Sequence, residues 1–324
     1  MTFVIKGEGV CESLGQDTTA TPVIEEMTGI VGKVYKEEGE AIEEVEVVAE
    51  NHLSQMMDMR FTDNSGIYAF EFQRSANVVI NPKKEGNIIN GVTTYDILQL
   101  RKHILGFAEL DSPYKMIAAD VNHSNSITTA DVVALRKVIL QMDETFKNNT
   151  SWRFIKADYQ FTNPANPFAG EIPEYVTIPE LTDEMKIDFI AIKVGDLNGS
   201  VVGRKAFNST TQSRNRPQID FKVRDKQINK NTIETITFNL GKADIQALQM
   251  TLNFDPNLVE IINIPATNQI DKNNFGTRFL NRGALTMSWD APTNTNEQLS
   301  FQLKVKTNRT VAVSELFTIN SAFT

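Results

Sequence analysis

TTYDILQLRKHIL (residues 93–105) and TTADVVALRKVIL (residues 128–140) match at Thr, Thr, Asp, Leu, Arg, Lys, Ile and Leu at a single offset, 128 against 93. Self-similarity of this quality marks a duplicated structural unit. The apolar residues recur at helical spacing, Ile97, Leu100 and Ile104 in the first copy and Val132, Leu135 and Ile139 in the second. Each copy therefore reads as a short helix with one apolar stripe. Helices of this length are not stable alone and bury such stripes against a partner, so the two form one paired module.

Oxygen-bearing residues precede the second helix in the order of a calcium loop. Asp120 stands at position 1, Asn122 at 3, Ser124 at 5, Ser126 at the backbone-carbonyl position 7, Thr128 at 9 and Asp131 at 12. Calcium is a hard cation that takes six to eight oxygens, and this spacing wraps a loop around it. An acid at Asp131 also faces the positive end of the helix dipole. Carrying the positions back to the first helix gives Glu85, Asn87, Ile89, Gly91, Thr93 and Asp96. Ile89 has no ligating side chain, so a backbone carbonyl or water would stand in at position 5. The plain alternative for Asp96 and Asp131 is an acid at a helix N-terminus. A third fragment, Asp196-Leu197-Asn198-Gly199-Ser200, copies the start of such a loop but has Phe207 where the last carboxylate should be; it reads either as an ion site or as an Asx-type turn.

Asp rather than Glu as the last loop residue, a duplicated LRK-x-IL helix, and AELDSPYKMIAA, which is short and contains a proline, in place of an entering helix resemble dockerin modules of the type I kind. The resemblance covers residues 85–140 and implies a helix pair with one Ca2+ per loop and a helical surface that docks onto a cohesin. Asn125 stands where the family has glycine at position 6, and asparagine tolerates the left-handed conformation.

On the N-terminal side, GIVGKVY, EEVEVVAEN, MRFTDNSGIYAFEF and NVVINP alternate apolar and polar residues between turn formers, which reads as a small antiparallel sandwich over 27–82. Gly32, Val34, Thr62, Asp63, Gly66, Tyr68 and Phe70 resemble the outline of carboxypeptidase regulatory-like, or B-type, domains of bacterial surface proteins. Residues 1–26 read as the last strand of a preceding domain, Thr2 to Lys6, and a linker. Residues 83–199 read as the dockerin-like module with an aromatic extension, and 200–217 as a polar linker. From 218 to 324, IDFKVRD, ETITFNLG, IQALQMTLNFD, LVEIINI, ALTMSWD and LSFQLKVK predict a second β-sandwich. Asp255, Pro256 and Leu258 in its F-D-P-x-x-L run resemble cohesin-like domains. The expected fold is mainly β and multidomain, two β-sandwiches flanking a small α-helical dockerin-like calcium-binding module. The second sandwich is expected to lack a closing strand after ELFTINSAFT, leaving an edge open to strand donation.

The 324 residues carry 32 basic and 41 acidic side chains, a net charge of −9, which disfavours nucleic acid as a partner and suits cations. One cysteine, Cys11, and three histidines allow neither an internal disulfide nor a Cys/His zinc cage. No apolar run is long enough to span a membrane. HExxH, GxSxG and a phosphate loop are all missing, so the chain reads as non-catalytic. Glu37, Glu38, Glu40, Glu43, Glu44 and Glu46 read as a solvated face. Taken with the resemblances, the order of modules implies a secreted, extracellular or cell-surface structural or adhesive protein. It would assemble through its dockerin-like and cohesin-like modules or by strand donation into filaments. The alternative is a cellulosome-like scaffold, or a carbohydrate-binding component in which Trp152, Phe154, Tyr159, Phe161 and Phe168 stack on a glycan. The plainer reading of those aromatics is that they pin an irregular segment to its neighbour.

Overall fold

The computed structural model describes residues 27–203, 220–240, 245–293 and 298–320. The N-terminal strand-like run, Cys11, most of the polar linker and Phe207 lie outside the described residues. Among the described residues the protein is mostly β, with three α-helices.

The first strands are β1 (Met27–Tyr35), β2 (Glu46–Asn51), β3 (Met56–Phe61), β4 (Ile67–Gln73) and β5 (Ala76–Lys83). In β4 and β5 every second residue is buried, the pattern of strands with one face on a core. Helices α1 (Thr94–Ile104), α2 (Pro113–Ala119) and α3 (Thr129–Ile139) follow. The chain then returns to the first sandwich as β6 (Trp152–Lys156), β7 (Val176–Leu181), β8 (Met185–Lys186) and β9 (Phe189–Lys193). One sheet has the order β4-β1-β9-β6, with β8 beside β1; the other has the order β3-β2-β5-β7. The sandwich is thus not confined to 27–82. Strands from the expected aromatic extension complete both of its sheets, and β9 runs parallel to β1, which is sealed by Val34 against Phe189.

All five residues of β9 are buried. Phe189 and Ala191 face the sandwich core together with Trp152 and Phe154, whereas Ile190, Ile192 and Ile155 face the helices. That sheet is a shared middle layer. FIAIK of β9 shows no alternation because neither of its faces meets water. Trp152 is 5% exposed and Phe154 2%, so neither offers a ring to a sugar; Tyr159 and Phe161 meet edge to face, 5.0 Å between ring centres. Tyr159, Phe161 and Phe168 are half-buried and pack against the helical core.

The segment expected to lack an entering helix forms one, α2, because its proline sits in the first turn behind the N-cap Ser112, where the missing N–H costs nothing. The C-terminal sandwich comprises β10 (Phe221–Val223), β11 (Gln227–Ile228), β12 (Ile233–Leu240), β13 (Ala247–Phe254), β14 (Val259–Asn263), β15 (Phe275–Gly276), β16 (Ala284–Asp290), β17 (Ser300–Thr307), β18 (Val311–Ala312) and β19 (Phe317–Asn320). Its two main sheets are β10-β12-β17-β14 and β15-β16-β13-β19, closed over Phe238, Phe275, Phe301 and Trp289. The run ELFTINSAFT supplies β19, which pairs with β13.

Candidate metal centre

In the second loop, Asp120 ends α2 and its side chain is fully buried. Its Oδ1 accepts the Ser124 N–H at 2.8 Å and its Oδ2 the Asn125 N–H at 2.8 Å. His123 and Asn125 take left-handed backbone conformations, φ 56° and 59°, which curl the chain around the carboxylate. Ser124 Oγ donates to the Ser126 carbonyl at 3.3 Å. Thr128 caps α3, and Asp131 closes the capping box by accepting the Thr128 N–H at Oδ2, 2.9 Å. Asp131 Oδ1 reaches back to accept the Asn122 N–H at 3.1 Å. Asn122 Oδ1 is buried with no hydrogen-bond partner, an arrangement that costs free energy unless something accepts its lone pairs. Burial pushes Asp131 above the ordinary carboxylate range against the two N–H donors, and the nearby Asp120 charge adds to the rise.

The first loop departs from the expected plan. Glu85 is exposed, Asn87 Oδ1 accepts only the local Ile89 N–H at 3.1 Å, and Ile89 packs against the helical core. No hydrogen bond joins any of the three to Asp96 among the described residues. The second half of the loop does take shape. Thr93 caps α1, and Asp96 Oδ2 accepts the Thr93 N–H at 2.7 Å. Asp96 Oδ1, however, accepts the Leu197 N–H at 2.9 Å, from the third fragment. There Asp196 Oδ1 accepts the Ser200 N–H at 3.1 Å and Oδ2 the Val201 N–H at 2.8 Å. Asn198 Oδ1 accepts the Ser200 N–H at 2.9 Å, and Ser200 Oγ donates to the Gly91 carbonyl at 2.9 Å. The Asx-type turn read from the sequence is present, and the structure places it against Asp96. Burial raises the Asp96 carboxyl to about 7, with the Asp196 charge contributing; burial likewise raises Asp196.

Two lysines lie nearby, Lys36 on the carbonyls of this same turn and Lys193 on neighbouring segments. Lys36 Nζ donates to the Gly199 and Val201 carbonyls at 3.0 Å each and pairs with Glu40 at 2.6 Å. Lys193 Nζ donates to the Ile88 carbonyl and to Ser151 Oγ, at 2.8 Å each.

A polar contact between the helix pair and the C-terminal sandwich escaped the sequence reading. Arg101 and Arg136 are the same residue of the two LRK copies, and both pair with the buried carboxylate of Asp290 in β16, Arg101 at 2.6 Å. Thr94 Oγ1 meets Ser288 Oγ at 2.8 Å, and the Thr94 N–H donates to Gln249 Oε1 at 2.8 Å. Thr286 Oγ1 donates to the Leu140 carbonyl at 2.9 Å. The helix pair and the C-terminal sandwich thus touch within one chain. The duplication of Arg in the two helices was the available signal; its acceptor lies too far along the chain for any local pattern to reveal.

No protein-family model matches the sequence, and no curated protein matches it. Among solved structures the chain is similar to the full-length major pilin SpaD from Corynebacterium diphtheriae, at 7% identity over 88% of this chain and 57% of that one, with a TM-score of 0.26. It is also similar to BcpA, the major pilin subunit of Bacillus cereus, at 9% identity over 91% of this chain and 67% of that one, with a TM-score of 0.21. The chain spans little more than half the length of SpaD, and TM-scores this low establish neither a shared fold nor a shared function. No helix among the described residues is long and apolar enough to cross a membrane.

Proposed function

We propose that this chain is a non-catalytic, calcium-stabilised segment of a secreted or cell-surface multidomain protein, in which a dockerin-like helix pair is clamped onto a cohesin-like sandwich of the same chain. The observation that carries the proposal is the convergence of the duplicated Arg101 and Arg136 on Asp290. Equivalent residues of the two repeats meet one buried acid, so the repeat serves an interface as well as a core. Because that face is covered within the chain, this reading is favoured over a scaffold whose helices recruit a separate cohesin.

The second loop fits a hard cation. Asp120, Asn122, Ser124, the Ser126 carbonyl and Asp131 supply only oxygen, and Asn122 Oδ1 is a buried acceptor without a donor. Bound calcium would neutralise the two carboxylates and satisfy that acceptor; the loop's own N–H groups hold the carboxylates in place. Extracellular modules work with calcium affinities of about 10⁻⁴–10⁻³ M, which suits the proposed location. Calcium at about 100 times its dissociation constant adds about 2.7 kcal/mol of stability per site. Chelation should therefore lower the melting temperature of the whole chain, and Asp131→Ala should remove most of the calcium-dependent part of the shift. An unchanged melting curve in excess chelator, with elemental analysis finding no retained calcium, would overturn the proposal.

A further inference from the structure

The chain contains a second set of oxygens in the same order as the 120–131 loop, assembled from two segments about a hundred residues apart. Asp196 accepts from the N–H groups four and five residues on, Ser200 and Val201; Asp120 accepts from Ser124 and Asn125, also four and five on. Gly199 is left-handed at φ 68°, as His123 is at φ 56°. Ser200 Oγ donates to the Gly91 carbonyl just as Ser124 Oγ donates to that of Ser126. Thr93 and Asp96 repeat the capping box of Thr128 and Asp131. A backbone N–H from the first half also reaches the last carboxylate in both, from Leu197, one residue after Asp196, to Asp96 Oδ1 and from Asn122, two residues after Asp120, to Asp131 Oδ1.

From this we infer that the chain holds a second calcium ion in a split loop, with Asp196, Asn198 and Ser200 as the first half and the Gly91 carbonyl, Thr93 and Asp96 as the second. Glu85, Asn87 and Ile89, the contiguous first half expected from the sequence, take no part. The inference rests on the calcium reading of the 120–131 loop and extends it to a site that no contiguous motif contains.

Burial supplies an argument independent of the loop geometry. Asp96 is fully buried and Asp196 is 6% exposed. Two carboxylates withdrawn from water and placed together are costly unless a cation accompanies them. Neither forms an ion pair among the described residues: Lys36 Nζ binds the Gly199 and Val201 carbonyls and Lys193 Nζ binds Ile88 and Ser151, so both ammonium groups act on Asp196 only through space. Gly91, Thr93, Asn198 and Ser200 also line an open cleft shared with Gln249 of the C-terminal sandwich, which gives a small ion a route in. The close approach of the two segments is built in at Gly91, which has φ 80°. A Cβ there would lie 2.5 Å from Val201 Cα, so only glycine lets the halves meet.

The test is calcium stoichiometry of the full chain by equilibrium dialysis with elemental analysis, backed by titration with calcium alone. Wild type should bind two ions. Asp131→Asn and Asp196→Asn should each bind one, whereas Glu85→Gln and Asn87→Ala should still bind two. Should Asp196→Asn fail to fold, Asn198→Ala at an exposed position should weaken one of the two sites by tenfold or more. A wild type that binds a single ion, lost in Asp131→Asn, would overturn the split site while leaving the first reading intact. A second ion that survives Asp196→Asn and disappears in Glu85→Gln would overturn it in favour of the contiguous loop. Failure to bind calcium at all would remove both readings together.

Discussion

Replacing Asp290 with Asn should loosen the joint between the helix pair and the C-terminal sandwich without disturbing either core. The Asp290 side chain has no exposed surface, while those of Arg101 and Arg136 are 35% and 21% exposed. Removing one partner of a fully buried ion pair costs about 3–5 kcal/mol, whereas exposed pairs are worth about 0.2–1 kcal/mol. The two guanidinium groups here keep part of their hydration, and Asn retains one acceptor oxygen, so about 2 kcal/mol is expected, intermediate between those limits. That corresponds to an opening equilibrium about 30 times more favourable. The Thr94 N–H reports the opening directly. It sits in the first turn of α1, where it has no acceptor within the helix, and it donates instead to Gln249 Oε1 across the joint. Its hydrogen exchange should accelerate about 30-fold in Asp290→Asn. The Ile236 amide, inside the β12–β17 ladder of the same sandwich, should not change. Equal exchange of Thr94 in both proteins would show that the Arg–Asp–Arg cluster contributes nothing to docking and would remove the main support for an intrachain clamp.

Phe189→Ala should cost about 3–5 kcal/mol as a large-to-small change in a core, and because β9 closes both the sandwich and the helical layer, thermal unfolding of the two should remain a single event at the lower temperature; separation into two transitions would contradict the shared-layer description. Burial lowers the Lys193 amine to about 7 from its ordinary value of 10.5. The penalty for charging it in the folded state is absent above the unfolded value, grows as pH falls from about 10.5 and is complete below about 7. Lys193→Met carries no such penalty, so its melting temperature relative to wild type should rise progressively as pH is lowered from 10 to 6, and a difference independent of pH would contradict the assignment.

How much of this was legible depends on how far apart the interacting residues lie. The repeated helices could be read because their stripes and their capping boxes are local, down to Thr93 with Asp96 and Thr128 with Asp131. The alternation in β4 and β5 was equally plain. What failed was the division between modules. FIAIK in β9 shows no alternation because it is buried on both faces, and nothing in residues 189–193 indicates a partner at Val34 and Tyr35. In the first loop, spacing transferred from the second copy points to Glu85 and Asn87, whereas the backbone brings the 196–200 turn to Asp96, a neighbour visible only as the similarity of DLNGS to the start of DVNHS. The short helix α2 is hidden in the sequence because a proline in so short a segment looks like a breaker, whereas Pro113 occupies the first turn.

The two boundaries of the helical layer differ in chemistry, and that difference orders the strength of the assembly. Towards the first sandwich the helices meet Ile190, Ile192 and Val194, residues buried in one apolar cluster with Leu135, Ile139 and Ile97. Towards the C-terminal sandwich the hydrogen-bonded and ionic contacts include those of Thr94, Arg101, Lys102 and Arg136 with Gln249, Ser288, Asp290 and Gln246, and that of Thr286 with the Leu140 carbonyl. An apolar boundary of the first kind behaves as a continuous core, whereas a polar boundary resembles the interfaces between separable domains. Hydrogen bonds and partly hydrated ion pairs also depend more on exact geometry than apolar contacts do. The residues that set this geometry are anchored at the start of α1, where Thr94 directly follows the capping residue Thr93. A cation that fixes Asp96 to the 196–200 turn would therefore fix the orientation of Thr94 as well. Calcium would act least on the apolar boundary, which burial already secures, and most on the polar one, where the position of a single helix terminus decides whether the hydrogen bonds are made.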